Sequence, residues 1–221
     1  MRLRYDQGTI RIEEPPPGLD VGRLPGVRWD PRVRLFRAPG RFHAELAGEL
    51  ARRGIPFDDQ AGPIRSNVSG WSSVELRPYQ SAALAAWAVA GRRGLVVLPT
   101  GSGKTRVAIA AMAAQGEPSL CLVPTRILLA QWADEIGKVY SGEVGRLGDG
   151  ARVLADVTIA TFESAYRWGP AIGRRFGLLV VDEAHHFGKG VRDEALEMSV
   201  AARRLGLTAT PGDVPETLGR L

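Results

Sequence analysis

From residue 76 onward the chain alternates between short apolar runs and longer stretches of helical periodicity. The runs at 95–99, 119–123, 157–160, 178–182 and 204–207 have the length of buried strands. Between and beside them, 78–90, 104–115, 126–138, 162–173 and 191–201 read as helices. Helices alternating with such strands predict a parallel sheet covered on both faces. Ligands of sheets of this kind bind beyond the carboxyl ends of the strands.

The first 70 residues follow a different pattern. Segments 3–5 and 9–13 alternate apolar and polar residues around the turn Asp6-Gln7-Gly8, which predicts two short paired strands. Pro15-Pro16-Pro17-Gly18 interrupts regular structure. Val33 and Leu35 alternate with Arg32 and Arg34, as in a half-buried strand. Phe42, Leu46 and Leu50 recur every four residues, which predicts a helix over 41–53 ended by Gly54. Residues 55–58 are a candidate last strand, and 61–73, rich in Gly, Ser, Pro and Asn, reads as a linker. The expected organisation is a small basic α+β domain over 1–70 and an α/β domain over 71–221.

Composition narrows the class. Hydrophobic residues make up 44% of the 221, ample for a core. There is no run of 18 apolar residues, so no membrane span is expected, and the start lacks the apolar centre of a signal peptide. The single Cys121 lies in an apolar run and reads as a small buried hydrophobe. Three His and one Cys have no zinc-ligand spacing, and adjacent His185 and His186 would diverge, so a structural metal is not expected. The expected setting is an intracellular, cytoplasmic protein with no membrane partner.

The formal charge is +5, carried almost wholly by Arg; Lys104, Lys138 and Lys189 are the only lysines. Residues 1–70 hold 12 Arg and 9 acidic residues, a net of +3. The cluster Arg28, Arg32, Arg34, Arg37 and Arg41 reads equally as a phosphate-contacting face or as a solvated surface paired with nearby carboxylates.

The chemistry sits at the strand ends. Leu98-Pro99-Thr100-Gly101-Ser102-Gly103-Lys104-Thr105 follows an apolar run and opens a helix, the context of a phosphate-binding loop. Gly101 and Gly103 permit the backbone angles that turn consecutive N–H groups toward phosphate oxygens, and the helix adds its positive end. Thr100, Gly101, Ser102, Gly103, Lys104 and Thr105 are therefore the candidate nucleotide-binding residues. Lys104 would reach the outer phosphates, and the Thr105 hydroxyl would bind Mg²⁺. The general pattern G-x-x-x-x-G-K-[ST] is missed at its first position, where Leu98 stands for Gly. Leu178 to Val181 delivers Asp182-Glu183-Ala184-His185-His186 to a second strand end. Asp182 is the candidate second Mg²⁺ ligand. Glu183 is the candidate group that orients or deprotonates a water for attack on the γ-phosphate. Alone, the Asp-Glu pair would read equally as a helix cap.

Taken together these segments resemble superfamily 2 helicases. Asp182-Glu183-Ala184-His185 matches the DEAH box, and Leu207-Thr208-Ala209-Thr210-Pro211 resembles the third motif. Pro124-Thr125-Arg126 is similar to motif Ia, Thr161-Phe162-Glu163-Ser164-Ala165 sits where a nucleic-acid-contacting motif falls, and Leu76-Arg77-Pro78-Tyr79-Gln80 resembles the adenine-reading segment. The order and spacing match over about 75–211. Within the superfamily, Leu205-Gly206-Leu207-Thr208-Ala209-Thr210 and the Asp-Glu-x-His-His segment resemble the archaeal and bacterial xeroderma pigmentosum group B type. That type carries a small N-terminal damage-recognition domain, for which 1–70 has suitable size and position.

The resemblance implies a RecA-like, P-loop NTPase fold of class α/β over 71–221, with ATP and Mg²⁺ as cofactors. It implies adenine contacts from Gln80 and Arg77, nucleic-acid backbone contacts from Arg126 and Thr161, and coupling of nucleotide state through His185, Thr208 and Thr210. Arg126 would otherwise be an exposed helix residue, and Thr161 a helix cap. The implied function is an ATP-dependent DNA helicase or translocase working in repair, in a prokaryotic nucleoid. The implied partners are DNA, a second RecA-like motor domain and a nuclease or repair protein. A restriction-enzyme translocase subunit and a DNA-binding module switched by ATP are the rival readings. The family's Arg-Glu-Asp triplet is replaced here by Pro211-Gly212-Asp213-Val214-Pro215-Glu216, which puts strand separation in doubt while leaving translocation expected. The sequence stops 11 residues after Thr210, so an N-terminal piece is expected, one that binds Mg-ATP weakly and turns it over poorly alone.

Overall fold

The computed structural model describes residues 1–186, 193–210 and 219–221. Two sheets organise it. The first has five strands: β1 (Arg2–Asp6), β2 (Thr9–Glu13), β3 (Arg28–Asp30), β4 (Leu35–Pro39) and β5 (Asp58–Gln60), in the order β3-β4-β2-β1-β5. All neighbours are antiparallel except β1 and β5. Leu3, Ile10, Ile12 and Ala38 alternate onto one face and pack on Leu46 and Leu50 of helix α1 (His43–Arg52). A hairpin cannot bury its apolar face alone, and α1 supplies the cover.

Three expectations shift here. The strand expected around Val33 and Leu35 lies at Leu35–Pro39, because Arg34 takes a positive φ of 53° in the turn before it and Val33 is left exposed. The last strand lies at Asp58–Gln60 rather than 55–58. The segment read as a linker is an ordered strap: Ile64 N donates to Arg174 O, Val68 N to Gly116 O and Ser72 N to Val139 O, all within 2.9 Å.

The second sheet has seven strands in the order β6-β12-β11-β7-β10-β8-β9. They are β6 (Arg93–Val97), β7 (Ser119–Val123), β8 (Val144–Gly148), β9 (Ala151–Val153), β10 (Val157–Thr161), β11 (Leu178–Val181) and β12 (Arg203–Thr208). Every neighbouring pair is parallel except the β8–β9 hairpin at the edge. Side chains partition with a period of two. Cys121, Val123, Ile159 and Val180 meet helices α2 (Pro78–Val89), α3 (Lys104–Gln115) and α4 (Arg126–Gly137). Leu120, Leu122, Ala160 and Leu179 meet α5 (Phe162–Ile172) and α6 (Glu194–Met198). Burial on both faces explains why these strands read as unbroken apolar runs. The helix expected over 191–201 is described only at Glu194–Met198; 191–192 lie outside the described residues.

The two sheets meet at α5 and α6. The Tyr5 hydroxyl shares its one proton between Gly169 O at 3.0 Å and Met198 O at 3.1 Å, and Arg41 pairs with Glu197 at 2.6 Å. A Cβ on Gly173 would lie 2.0 Å from the Tyr5 hydroxyl, so only glycine lets the elements come this close. Among the described residues no helix is long and apolar enough to cross a membrane.

Candidate nucleotide and nucleic-acid sites

The loop between β6 and α3 has the conformation its glycines allow. Gly101 and Gly103 adopt φ of 77° and 78°, which bends the chain sharply before α3 begins at Lys104. The Ser102 hydroxyl is buried without a hydrogen-bond partner. The Lys104 ammonium is folded back onto the Leu98 and Pro99 carbonyls at 3.2 and 3.4 Å. An inward-turning loop with a buried orphan hydroxyl and a lysine held by two carbonyls fits a phosphate tail, whose oxygens would replace those carbonyls.

Gln80 stands behind the loop. It is 2% exposed, and its amide donates to the Ser102 carbonyl at 2.8 Å while its oxygen accepts from Arg77 N at 2.8 Å. A Cβ at Gly103 would lie 2.5 Å from that amide. Both ends of the Gln80 amide thus buttress the protein. Gln80 and Arg77 still line a cavity of about 330 Å³ beside the loop, together with Leu76, Gly101 and Gly103.

β11 brings Asp182 to the same edge of the sheet, two strands from β6. Asp182 is 6% exposed and accepts hydrogen bonds from Trp132 Nε1 at 2.8 Å and Glu183 N at 3.0 Å. Burial raises its pKa, and the Glu183 charge adds to this, while the Trp132 bond and the Lys104 ammonium oppose it. Lys104 is therefore within electrostatic reach of Asp182. Glu183 has a positive φ of 49°, a conformation that side chains seldom adopt. His185 Nδ1 lies 3.1 Å from Thr208 Oγ1, and Thr208 Oγ1 donates to the Thr210 carbonyl at 3.1 Å. The structure so brings His185, Thr208 and Thr210 into one chain of contacts beginning at the acidic pair. Pro211 to Glu216, where the triplet is missing, lie outside the described residues.

No group of three metal-ligating side chains occurs among the described residues. Mg²⁺ takes only one or two protein oxygens with water and phosphate completing the shell, so a hydroxyl at Thr105 and a carboxylate at Asp182 are donors of the right hardness and number.

Arg126 and Thr161 border one groove of about 510 Å³ along with Asp149, Arg152, Arg167 and Trp168. Arg126 is held by Asp149 at 3.3 Å. Thr161 caps α5, its Oγ1 accepting from Ser164 N at 3.2 Å, and is only 8% exposed. Its hydroxyl serves the helix, so the exposed cations of this groove are Arg126, Arg152 and Arg167. Arg152 was hidden because the β8–β9 hairpin was, although Gly148-Asp149-Gly150 between short alternating segments is a hairpin signal; Arg167 lies on the expected helix α5 but belongs to no motif.

Comparison with known proteins follows the same division. A family model described as "Type III restriction enzyme, res subunit" matches residues 73–213. One described as "Xeroderma pigmentosum group B helicase damage recognition domain" matches residues 3–61. The chain is 31% identical over 209 residues to the DNA 3'-5' translocase XPB2 of Sulfurisphaera tokodaii, covering 95% of this chain and 46% of that one. It is 36% identical over 205 residues to the DNA 3'-5' helicase XPB of Kineococcus radiotolerans, covering 85% and 36%. The chain thus spans less than half the length of these curated relatives. The UvsW helicase of bacteriophage T4 shares the fold, with a TM-score of 0.56 at 18% identity over 98% of this chain and 94% of that one. The helicase domain of Pyrococcus furiosus Hef aligns with a TM-score of 0.52 and 27% identity over 66% and 35%.

Proposed function

The chain belongs to the superfamily 2 helicase family of the type III restriction enzyme res subunit, in its xeroderma pigmentosum group B form, and from that premise we propose that it is the ATP-binding part of a DNA translocase acting in repair. One observation carries the reading: the Lys104 loop after β6 and the Asp182–Glu183 pair after β11 lie at the same edge of one parallel sheet, with only β12 between them.

In this reading the main-chain N–H groups of Thr100 to Lys104 hold the triphosphate, and Lys104 leaves its two carbonyls for the outer phosphates. Thr105 and Asp182 would hold Mg²⁺, which when bound neutralises charge on the phosphates. Glu183 orients the attacking water and accepts its proton. Arg77 and Gln80 border the adenine, and Gln80 transmits its presence to Ser102 and Gly103 through the bonds it already makes. His185, Thr208 and Thr210 relay the state of the phosphate site along β12.

The groove of Arg126, Arg152 and Arg167 contacts the DNA backbone, a sequence-independent interaction. A second RecA-like domain completes the ATP site and supplies an arginine finger, worth about 10³–10⁵ in rate in phosphoryl transfer. Residues 1–70 and 71–221 are the two folding units, and the cytoplasm of a prokaryote, at the nucleoid, is the proposed setting. The match of 3–61 to the damage recognition domain supports a repair enzyme over a restriction subunit.

The test uses the complete protein and DNA-stimulated ATP turnover. Lys104→Ala and Glu183→Gln are each expected to abolish turnover, with Glu183→Gln retaining ATP binding. Full DNA-dependent function in Glu183→Gln would mean that ATP acts as a switch and would overturn the motor reading.

A further inference from the structure

Arg204, on β12, is fully buried. Among the described residues its guanidinium donates only to main-chain carbonyls: Ala201 O and Leu196 O at 3.0 Å, Ser199 O at 2.7 Å and Arg220 O at 2.8 Å. Three of these belong to α6 and the turn after it. So short a helix leaves its last carbonyls open, and a charge from the next strand closes them. The fourth belongs to residue 220, which the same guanidinium ties to β12.

The chain at 220–221 is held at further points. Arg220 Nη1 lies 2.7 Å from the Asp193 carboxylate, and its Nε lies 3.0 Å from Glu197. The other oxygen of Glu197 takes Arg41, between β4 and α1, at 2.6 Å. Leu221 is 2% exposed and lies over Gly206: a Cβ on that glycine would meet Leu221 Cδ1 at 2.6 Å and Ala184 Cβ at 3.4 Å. Arg204, Gly206 and Thr208 share one face of β12 by the period of two. Residues 220–221 therefore lie along this face, beside the turn whose His185 Nδ1 is 3.1 Å from Thr208 Oγ1.

Isolated exposed ion pairs contribute little, whereas networks hold geometry. The series Arg41–Glu197–Arg220–Asp193 is such a network, with side chains between 11% and 27% exposed. None of the four lines the cavity beside the phosphate loop. We propose that Arg220 is a positioning residue of the motor: bridging Asp193 and Glu197, with its carbonyl on Arg204, it holds Leu221 against β12 and keeps the Ala184–His185 turn in register with Thr208. The inference rests on the motor reading, in which His185 and Thr208 relay the state of the phosphate site. Through Glu197 the same bridge joins the seat of the first sheet to that relay. Without the Arg220 side chain, Lys104 and Asp182 keep their places, but the relay loses its backing. ATP binding is then unaffected and the DNA-dependent step slows.

The test is ATP turnover by the complete protein, with and without DNA. Arg220→Gln is expected to lower the DNA-stimulated kcat on the order of tenfold, as displacements remote from the chemistry do, with KM for ATP and the rate without DNA unchanged. Asp193→Asn breaks the bridge from its other end and should do the same, and Arg220→Lys should restore part of the rate. Combining Arg220→Gln with Glu197→Gln should cost less than the product of the two losses, because the side chains act as one unit. Unchanged kcat in both Arg220→Gln and Asp193→Asn would overturn the inference. So would a loss equal with and without DNA, or a raised KM, since either marks general damage to the fold. Glu183→Gln is the control for the reading beneath. If it turns over like the parent, the motor reading fails and the inference with it. If it is inactive while Arg220→Gln matches the parent, the inference alone is rejected.

Discussion

The indole N–H of Trp132 donates to the Asp182 carboxylate at 2.8 Å, linking the middle of α4 to the end of β11. This fixes the orientation of a buried acid whose other oxygen accepts from its own chain at Glu183 N. Trp132→Phe removes the donor while filling most of the space. A hydrogen bond to a charged group contributes about 1.5–3 kcal/mol, so the melting temperature should fall by several degrees. DNA-stimulated turnover in the complete protein should fall further, because the carboxylate loses its alignment. Unchanged turnover in this variant would show that the orientation of Asp182 is not set by α4.

Ionisation of Asp182 is disfavoured by burial, and the consequence for stability has a definite sign. Its pKa in the folded chain is raised above the ordinary 3.8, so the folded state holds this proton more tightly than the unfolded state. Asp182 therefore costs stability as pH rises from 3.8 through its folded pKa, and the cost persists at neutral pH. Asp182→Asn should melt increasingly above the parent as pH is raised from 4 to 7, while losing Mg-ATP hydrolysis. Parallel melting curves at all pH values would contradict this.

Gln80 separates two accounts of the adenine segment. If it served only adenine, Gln80→Ala would leave the nucleotide-free protein as stable as before. Because it bonds Ser102 O and Arg77 N, its removal costs two hydrogen bonds, about 0.5–1.5 kcal/mol each, although Ser102 O keeps its bond from the Tyr79 hydroxyl. The expected result is a lower melting temperature without nucleotide and weaker ATP binding.

Tyr5 tests the seat of the first sheet on α5 and α6. Its pKa is pushed up to about 12, chiefly by burial. The unfolded phenol ionises near 10 and the folded one does not, so stability is lost as pH rises from 10 toward 12. Tyr5→Phe should be less stable at neutral pH, having lost the one O–H donor shared by two carbonyls, and should lack that alkaline decline. Thermal melts at pH 8 and pH 11 measure both effects.

Much of this molecule was legible in its sequence, for reasons visible in particular residues. The runs 119–123 and 178–181 are buried on both faces, so their apolar character is continuous and unmistakable. The phosphate loop was legible because glycine and lysine are demanded at fixed offsets by backbone geometry. The edge strands β3 and β9 and the neighbouring β8 were not, since Arg28–Asp30 and Ala151–Val153 are three residues each and half-solvated, and glycines interrupt Val144–Gly148. The role of Gln80 as a buttress and the bond from Trp132 to Asp182 depend on tertiary approach across 22 and 50 residues, which no local pattern encodes. The cluster of five arginines between Arg28 and Arg41 is visible in the sequence as a local excess of charge. That Arg4 and Arg11 stand in line with Arg37 required the strand register.

The central claim is that Lys104 and the main-chain amides around it grip a triphosphate facing Asp182. Titration of a fluorescent ATP analogue into the 221-residue chain, with Mg²⁺ present, tests it directly. The parent should bind, and Lys104→Ala should lose at least about tenfold in affinity, the order of a single charge-assisted contact worth 1.4 kcal/mol or more. Equal affinity in the parent and Lys104→Ala would contradict the account.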